Sequence, residues 1–376
     1  MQGLSEYKSN LFHLIRWISA LMVVFGHTLM VDKYVFGERT ISPVYKYIAT
    51  NHHAAVIFFF VLSGYLISFV SLKYSNNYGT VALKSYLLDR WSRIYSIVIP
   101  VLLLTIIFDL YGKVIFPDVY NNSSIIPQDS IGIRFFSNLF SLQGTWGKNM
   151  QFGSNPALWS IGYEFSFYLI FGIFILKGER FYKSRIFWIC AVCFILIRGP
   201  LVACYFFIWL LGVAAHRFSL IFHIRIGWAV TLLVLFLIII LNHLLEREEI
   251  FSFKVVDDFL FAIPIALLFF FERESSFPES NKIKKLNLFM AHFSFTLYGT
   301  HLPLLFFMYS VLKYSSYGNK TGPEITSVLM VILCILFAYF FSKISESRRL
   351  YYRNFATKSW YFFKKYFVKD FYYLGR

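Results

Sequence analysis

Charge is scarce in this sequence. Only 15% of its 376 residues are Asp, Glu, Lys or Arg, whereas ordinary soluble domains carry about 25%. Acids are the scarcer sign, 20 against 36 basic residues. Cysteine is rare too: four residues give no disulfide framework. Cys190 and Cys193 form a C-x-x-C inside an apolar run, where packing is a simpler role than redox or metal chemistry. No secretory leader is evident, because the first apolar run, 11–31, lacks an A-x-A-like cleavage site. That run reads as a retained first helix. Internal repeats and a second domain are absent as well. These absences exclude a soluble enzyme and a disulfide-stapled secreted domain. Disorder is excluded by what is present: 58% hydrophobic residues, 21% aromatics and 46 phenylalanines.

The apolar residues fall into runs near 11–31, 54–72, 94–116, 156–176, 185–199, 200–215, 226–244, 255–271, 287–312 and 325–345. Such runs predict an all-α, polytopic transmembrane helix bundle of about ten spans. Arg198-Gly199-Pro200 divides two short runs by a turn or a kink. The net charge of +16 suggests nucleic acid only if the chain is soluble. Here the basic residues sit in short loops and in the tail, so they read as topology signals and no nucleic-acid partner is expected. Roughly two thirds of the 36 lysines and arginines fall on one side, which places both termini in the cytoplasm of a multi-pass protein of the inner (plasma) membrane. Residues 1–346 form the transmembrane domain. Residues 347–376 are a basic, aromatic tail suited to an anionic inner leaflet, with a solvated tail as the plainer alternative. The longest segment between spans, 117–155, lies outside, where it can cap the outer face or line an acceptor groove.

Ionisable side chains inside the spans are the functional clues, because hydrocarbon tolerates them only beside a cavity or a partner. Arg16 and His27 share the first helix. Eleven residues at about 100° each put them on one side, roughly 16 Å apart along the axis. Snorkelling for Arg16 and an interfacial hydrogen bond for His27 are the plainer alternatives. Glu164, in a span entering from outside, is expected near the depth of His27, where it can orient the imidazole, bond a sugar hydroxyl or simply pair with an Arg or Tyr. Arg90 and Arg93 share one helix face at the inner interface and suit phosphate, or positive-inside anchoring. His301 lies mid-span and Glu346 closes the last span; either can be structural. Asp109 has no evident partner. His52 and His53 lack a third ligand, so no metal site is assigned. Small residues in 59–67, Gly64 among them, predict close helix packing or room for a ligand.

Taken in order, these residues resemble a known family, the integral-membrane acyltransferase family 3, O-acetylases of O-antigen, exopolysaccharide and related glycans. Arg16-x10-His27 resembles its R-x10-H, and FFVLSGYLI at 59–67 its FFVLSGFLI. Arg90-x-x-Arg93 is similar to its R-x-x-R. LWSIGYEFSFYL at 158–169 resembles LWSLSVEEQFYL, with Glu164 on the first Glu. SFTLYGTHLPLL at 294–305 resembles SYGIYLIHFPLL, and Glu346 fits a Glu near the end of the last helix. Two acids of the pattern are replaced, by Phe165 and Ile57. Some relatives carry an extra esterase-like domain, for which the residues after Glu346 leave no room.

The resemblance implies acyl transfer, usually of acetyl from acetyl-CoA, to a glycan hydroxyl. It implies His27 and Glu164 as catalytic residues, and Arg16, Arg90, Arg93, Trp159, His301 and Glu346 as substrate-binding ones. Acyl-CoA is then a donor substrate and not a resident cofactor; the acceptor is a glycan or a lipid-linked saccharide, and the lipid bilayer is the third partner. The three arginines suit the phosphates of CoA, and the pantetheine arm is of the order of the Arg16–His27 separation. His27 is a general base or a transient acyl carrier. The rival classes are a glycolipid or lipid transporter, which predicts a symmetry between halves that this sequence lacks, and a structural partner in a polysaccharide synthesis complex.

Overall fold

The computed structural model describes residues 4–78, 82–122, 126–148, 150–176, 185–248, 254–273, 280–315 and 320–363. Fifteen α-helices lie within them. They are α1 Glu6–Phe36, α2 Pro43–Thr50, α3 His52–Tyr78, α4 Ala82–Ile115 and α5 Pro117–Tyr120. Then come α6 Ile131–Leu139, α7 Leu158–Leu176, α8 Arg185–Arg198, α9 Pro200–Phe222 and α10 Trp228–Glu248. The last five are α11 Lys254–Phe270, α12 Asn281–His292, α13 Ser294–Lys313, α14 Pro323–Ser342 and α15 Arg349–Phe363. One parallel pairing of Arg225–Ile226 with Glu272–Arg273 is the sheet structure of note, so the class is all-α as expected.

Six helical stretches among the described residues are long and apolar enough to cross a membrane: Glu6–Phe36, Pro43–Leu72, Leu83–Ile115, Pro200–Phe222, Ser294–Lys313 and Pro323–Ser359. A shorter apolar helix runs from Val230 to Asn242. Helices α7, α8 and α11 coincide with three further expected runs. The expected run 287–312 is not one helix. It breaks at Phe293, so that α12 ends at His292 and the apolar helix begins at Ser294. Residues 177–184, between two of the expected runs, and the part of the basic tail from 364 onward lie outside the described residues.

Local chemistry explains several boundaries. Ser5 caps α1, its hydroxyl accepting from the Lys8 amide at 3.3 Å, with Glu6 in the first turn beside the helix's positive end. Ser42 caps α2 in the same way, with Pro43 at the first helical position. The Gly199-Pro200 pair is a turn between two helices: Gly199 sits at φ 87°, where a side chain is strained, and Pro200 opens α9. The neighbouring Arg198 folds back to the Thr145 hydroxyl at 2.7 Å.

Helix α1 runs through the centre of the bundle, against α3, α12, α13 and α14, while α3 packs against α9 and α11. The α3–α9 contact depends on two glycines. A Cβ on Gly64 would collide with the Trp209 carbonyl, and one on Gly212 with the Val61 carbonyl. The two backbones therefore touch, which is the close packing the 59–67 segment predicts. Trp209, Tyr65, Tyr168 and Phe167 fill the core around that crossing. The outer surface is apolar: on α8 and α10, Ile189, Leu196, Ile197, Leu232, Leu233, Phe236 and Ile239 all face outward. Water would not support such a belt, and lipid does. Cys193 belongs to this surface as an exposed free thiol rather than to the core; the side chain of Cys190 lies outside the described residues.

Candidate active site

Helix α1 carries two sites, one at each end. Toward its N-terminal end, Arg16 borders a cavity of about 230 Å³ together with Arg90 and Arg93 of α4 and Arg349 of α15. Arg90 is 9% exposed, and its Nε is buried without a hydrogen-bond partner. Its guanidinium lies 5.7 Å from the Tyr86 ring and 5.9 Å from the Tyr168 ring, and that of Arg93 lies 5.6 Å from Phe295. Arg349 is steadied by the Asp89 carbonyl at 3.2 Å. The helix spacing explains the convergence: Arg90 and Arg93 are one turn apart on a helix that crosses α3, α7 and α13.

Two carboxylates answer these cations. Glu164 accepts from the Ser63 hydroxyl at 2.7 Å and from the Tyr168 hydroxyl, and Trp209 donates to Ser63 at 3.1 Å. Glu346 accepts from the Thr296 amide at 3.3 Å and the Thr296 hydroxyl at 3.1 Å. Both acids act electrostatically on Arg16 and Arg93. Arg349 pairs with the Asp89 carboxylate at 3.9 Å, so Arg16, Arg90 and Arg93 face the two carboxylates with one positive charge in excess, and the buried Nε of Arg90 is an unspent donor. Such a cavity suits a phosphate-bearing ligand.

The cavity narrows toward the other end of α1. A second space of about 50 Å³ shares Arg16, Phe59, Arg93 and Glu164 with the first and continues to Val56, Ser160 and Tyr298. Val56 is one helical turn from His52, and Tyr298 one turn from His301. There the second site begins. His27 Nδ1 lies 2.8 Å from His301 Nε2, and the two rings meet edge to edge, their planes 22° apart and their centroids 5.0 Å apart. The His52 ring also packs on His27, with centroids 4.9 Å apart.

The tautomers follow from the partners. His301 Nδ1 faces the Tyr298 carbonyl at 2.6 Å, and a carbonyl only accepts. His301 therefore carries its proton on Nδ1, and in a neutral ring its Nε2 is an acceptor. His27 must then donate from Nδ1, which leaves the lone pair of His27 on Nε2. Backbone, second histidine and first histidine thus form a relay that turns one nitrogen of His27 into a base or nucleophile.

The model of an acyltransferase domain, family 3, matches residues 11–343 of this chain. The chain belongs to that family. Its six long apolar helices suit a membrane-embedded member of that family. The O-acetyl transferase of Shigella phage Sf6 is 27% identical over 173 residues, 44% of this chain and 46% of that protein. The chain thus matches about half the length of that curated relative. No solved structure matches it.

The expected site residues fall into two groups. Arg16, Arg90, Arg93, Glu164 and Glu346 come together around the arginine cavity; His27 and His301 form the histidine pair. Glu164 is not the group that holds His27: its hydrogen-bond partners are Ser63 and Tyr168, and the partner of His27 is His301. Trp159 lies apart from both, edge-on to Phe60 at 6.2 Å and Tyr163 at 5.1 Å. Asp109 does have a partner. It accepts from the Ser154 amide at 3.0 Å and the Ser154 hydroxyl at 2.5 Å, pinning the loop before α7. His52 and His53 point to different partners, the Ala49 carbonyl at 2.9 Å and Asp258 at 2.9 Å. Sequence reasoning missed Arg349, because a basic tail reads as membrane anchoring. It also missed Ser63 and Tyr168, neutral groups whose role appears only once α3 and α7 meet.

Proposed function

We propose that this protein transfers an acyl group, acetyl in the first place, from cytoplasmic acyl-CoA to a hydroxyl of a cell-surface glycan such as O-antigen or exopolysaccharide. The observation that carries this reading is the division of labour along α1: an arginine cavity around Arg16, and a polarised histidine about 16 Å away at His27. CoA is a polyanion with a long narrow arm. Its phosphates suit Arg16, Arg90, Arg93 and Arg349, and its thioester then lies toward the narrow part of the cleft. His27 Nε2 takes the proton of the acceptor hydroxyl as the hydroxyl oxygen bonds to the thioester carbon. The carbon–sulfur bond breaks, and the departing thiolate receives the proton back from His27. As His27 becomes imidazolium, its Nδ1–H bond to His301 becomes charge-assisted and steadies the transition state. Glu164 and Glu346 hold the arginines in place.

The phage O-acetyl transferase supports acetyl as the group. The sequence supports a plasma-membrane protein of about ten spans with both termini in the cytoplasm, which puts the arginine end where CoA is made and the histidine end toward the outer face. The test uses purified protein in nanodiscs, with acetyl-CoA and an extracted surface glycan. Thiol release that depends on glycan, with acetylated glycan by mass spectrometry, is the expected result; His27→Ala and Arg16→Ala abolish it. Normal acetylation by a well-folded His27→Ala protein refutes the mechanism. Absence of both thiol release and acyl transfer favours a transporter.

A further inference from the structure

A third cavity, of about 310 Å³, lies at the histidine end of the bundle and belongs to neither site above. It opens between the 143–156 loop and the helix ends of α3, α7 and α9. Its volume is in the range of ligand pockets, about 300–1,000 Å³. Trp159, Tyr163 and Tyr205 form one wall. Their rings lean on one another, with centroids 5.1 Å apart for Trp159–Tyr163, 6.0 Å for Trp159–Tyr205 and 5.8 Å for Tyr163–Tyr205. This wall is rigid and amphipathic.

Polar groups on the rest of the lining are held in place. Gln143 is 2% exposed and donates to the Leu158 carbonyl at 2.7 Å, while its Oε1 is buried without a partner. Gln143 borders the cavity, and a buried amide oxygen with nothing donating to it is unfavourable, so it suits a donor from a ligand there. His53 also lines the space. Its Nε2 faces Asp258 at 2.9 Å, and Tyr205 donates to the same carboxylate at 2.7 Å. The carboxylate takes the Nε2–H, and Nδ1 of His53 is the ring nitrogen left for a ligand hydroxyl.

We infer that this cavity binds a pyranose ring of the acceptor saccharide. A sugar ring has apolar C–H faces for an aromatic wall and hydroxyls that both donate and accept. Gln143 Oε1 accepts a hydrogen bond from one hydroxyl, and His53 Nδ1 pairs with a second. The location fits a substrate that must meet His27. His53 is the chain neighbour of His52, whose ring touches His27. Trp159 is the chain neighbour of Ser160 and packs on Phe60, both of which line the narrow part of the donor cleft. Trp159 therefore stands in the partition between donor and acceptor spaces. This inference rests on the proposed glycan acyl transfer and adds the class of ring and the residues that bind it.

The experiment is saturation-transfer NMR on the full chain in nanodiscs, without any donor, against a panel of methyl pyranosides (gluco, galacto, manno, rhamno and N-acetylglucosamine). The same samples are titrated with acetyl-CoA. At least one pyranoside is expected to receive saturation at its ring C–H protons. Gln143→Leu is expected to raise its Kd at least 10-fold while the acetyl-CoA Kd stays within twofold. Should Gln143→Leu fold poorly, Trp159→Leu serves as the second variant with the same expected loss of sugar affinity. If no pyranoside binds, or if both variants bind it as the wild type does, the inference is overturned even though acetyl-CoA binds. If a pyranoside binds in this way and acetyl-CoA neither binds nor turns over, the saccharide site stands and the acyl-CoA reading falls.

Discussion

Replacing His301 by alanine tests the relay that fixes the reactive nitrogen of His27. In the wild type, the Tyr298 carbonyl sets His301, and His301 Nε2 accepts from His27 Nδ1 at 2.8 Å. Without His301 the His27 ring is free to carry its proton on either nitrogen, and the forming imidazolium loses its acceptor. A hydrogen bond to a charged group contributes about 1.5–3 kcal/mol. At about 1.4 kcal/mol per decade of rate, that is roughly a 10- to 150-fold fall in kcat, before any loss of ring orientation. The KM for acetyl-CoA is expected to hold within twofold, because the arginine cavity lies about 16 Å along α1. His301 is fully buried, so alanine also opens a hole. His301→Gln guards against that complication: its amide oxygen can still accept from His27 and should recover about tenfold of the lost rate, consistent with one hydrogen bond. The assay is thiol release from acetyl-CoA in nanodiscs at saturating glycan, with thermal midpoints measured on the same samples. A His301→Ala protein whose kcat is within threefold of wild type refutes the relay. So does a loss that falls in KM alone.

Three other outcomes follow from the geometry. Arg90→Ala should raise the acetyl-CoA KM about 10- to 100-fold, the worth of one charge-assisted bond, and leave turnover of S-acetylpantetheine, which has no phosphates, unchanged; an equal penalty on both donors removes the phosphate role. Gly64→Ala forces a methyl against the Trp209 carbonyl, and overpacking of this kind costs about 1–3 kcal/mol, so the detergent melting midpoint should fall; an unchanged midpoint contradicts the α3–α9 contact. Asp109→Ala leaves the Ser154 amide and hydroxyl without their acceptor, a loss of about 1–3 kcal/mol, visible as faster proteolysis of the 143–156 loop; acetyl-CoA affinity should not move, and if it falls with the loop intact, Asp109 has another role.

The helices were legible where hydrocarbon imposes its rule. Long apolar runs and their breaks located most elements to within a few residues, and the glycine of 59–67 foretold a close helix crossing. The run at 287–312 was misjudged because hydropathy averages over Phe293, where the chain breaks between a polar helix and an apolar one. The Arg16–His27 stripe was readable since it depends only on helical periodicity within one segment. Its partners were not. Which acid stands by which base depends on how α1, α7 and α13 are rotated against each other, and sequence spacing within a helix carries no such information. Depth alone left Glu164 three roles: orienting His27, bonding a sugar hydroxyl, or pairing with an Arg or Tyr. The rotation of α7 selects the last, turning it to Ser63, Tyr168 and the arginines, and His301 stands beside His27.

That arrangement has a physical reason. A lone carboxylate taken out of water is penalised by several kcal/mol, and only a close cation with further hydrogen bonds offsets the penalty. At the arginine end that condition is met: Glu164 and Glu346 each have hydroxyl donors and two guanidinium neighbours. Among the described residues the neighbours of His27 are His301 and His52 and include no arginine or lysine, so a carboxylate beside it would lack its counter-charge. A second imidazole, set by a backbone carbonyl, polarises His27 without bringing a net charge into that region. The fixed charges of the donor cleft are thereby gathered where a polyanionic donor can use them, and the His27–His301 pair itself brings no carboxylate or guanidinium to the reacting atoms. It follows that His301→Asp is not an improved relay: it places an uncompensated charge beside His27, and the chain should lose more stability from it than from His301→Gln.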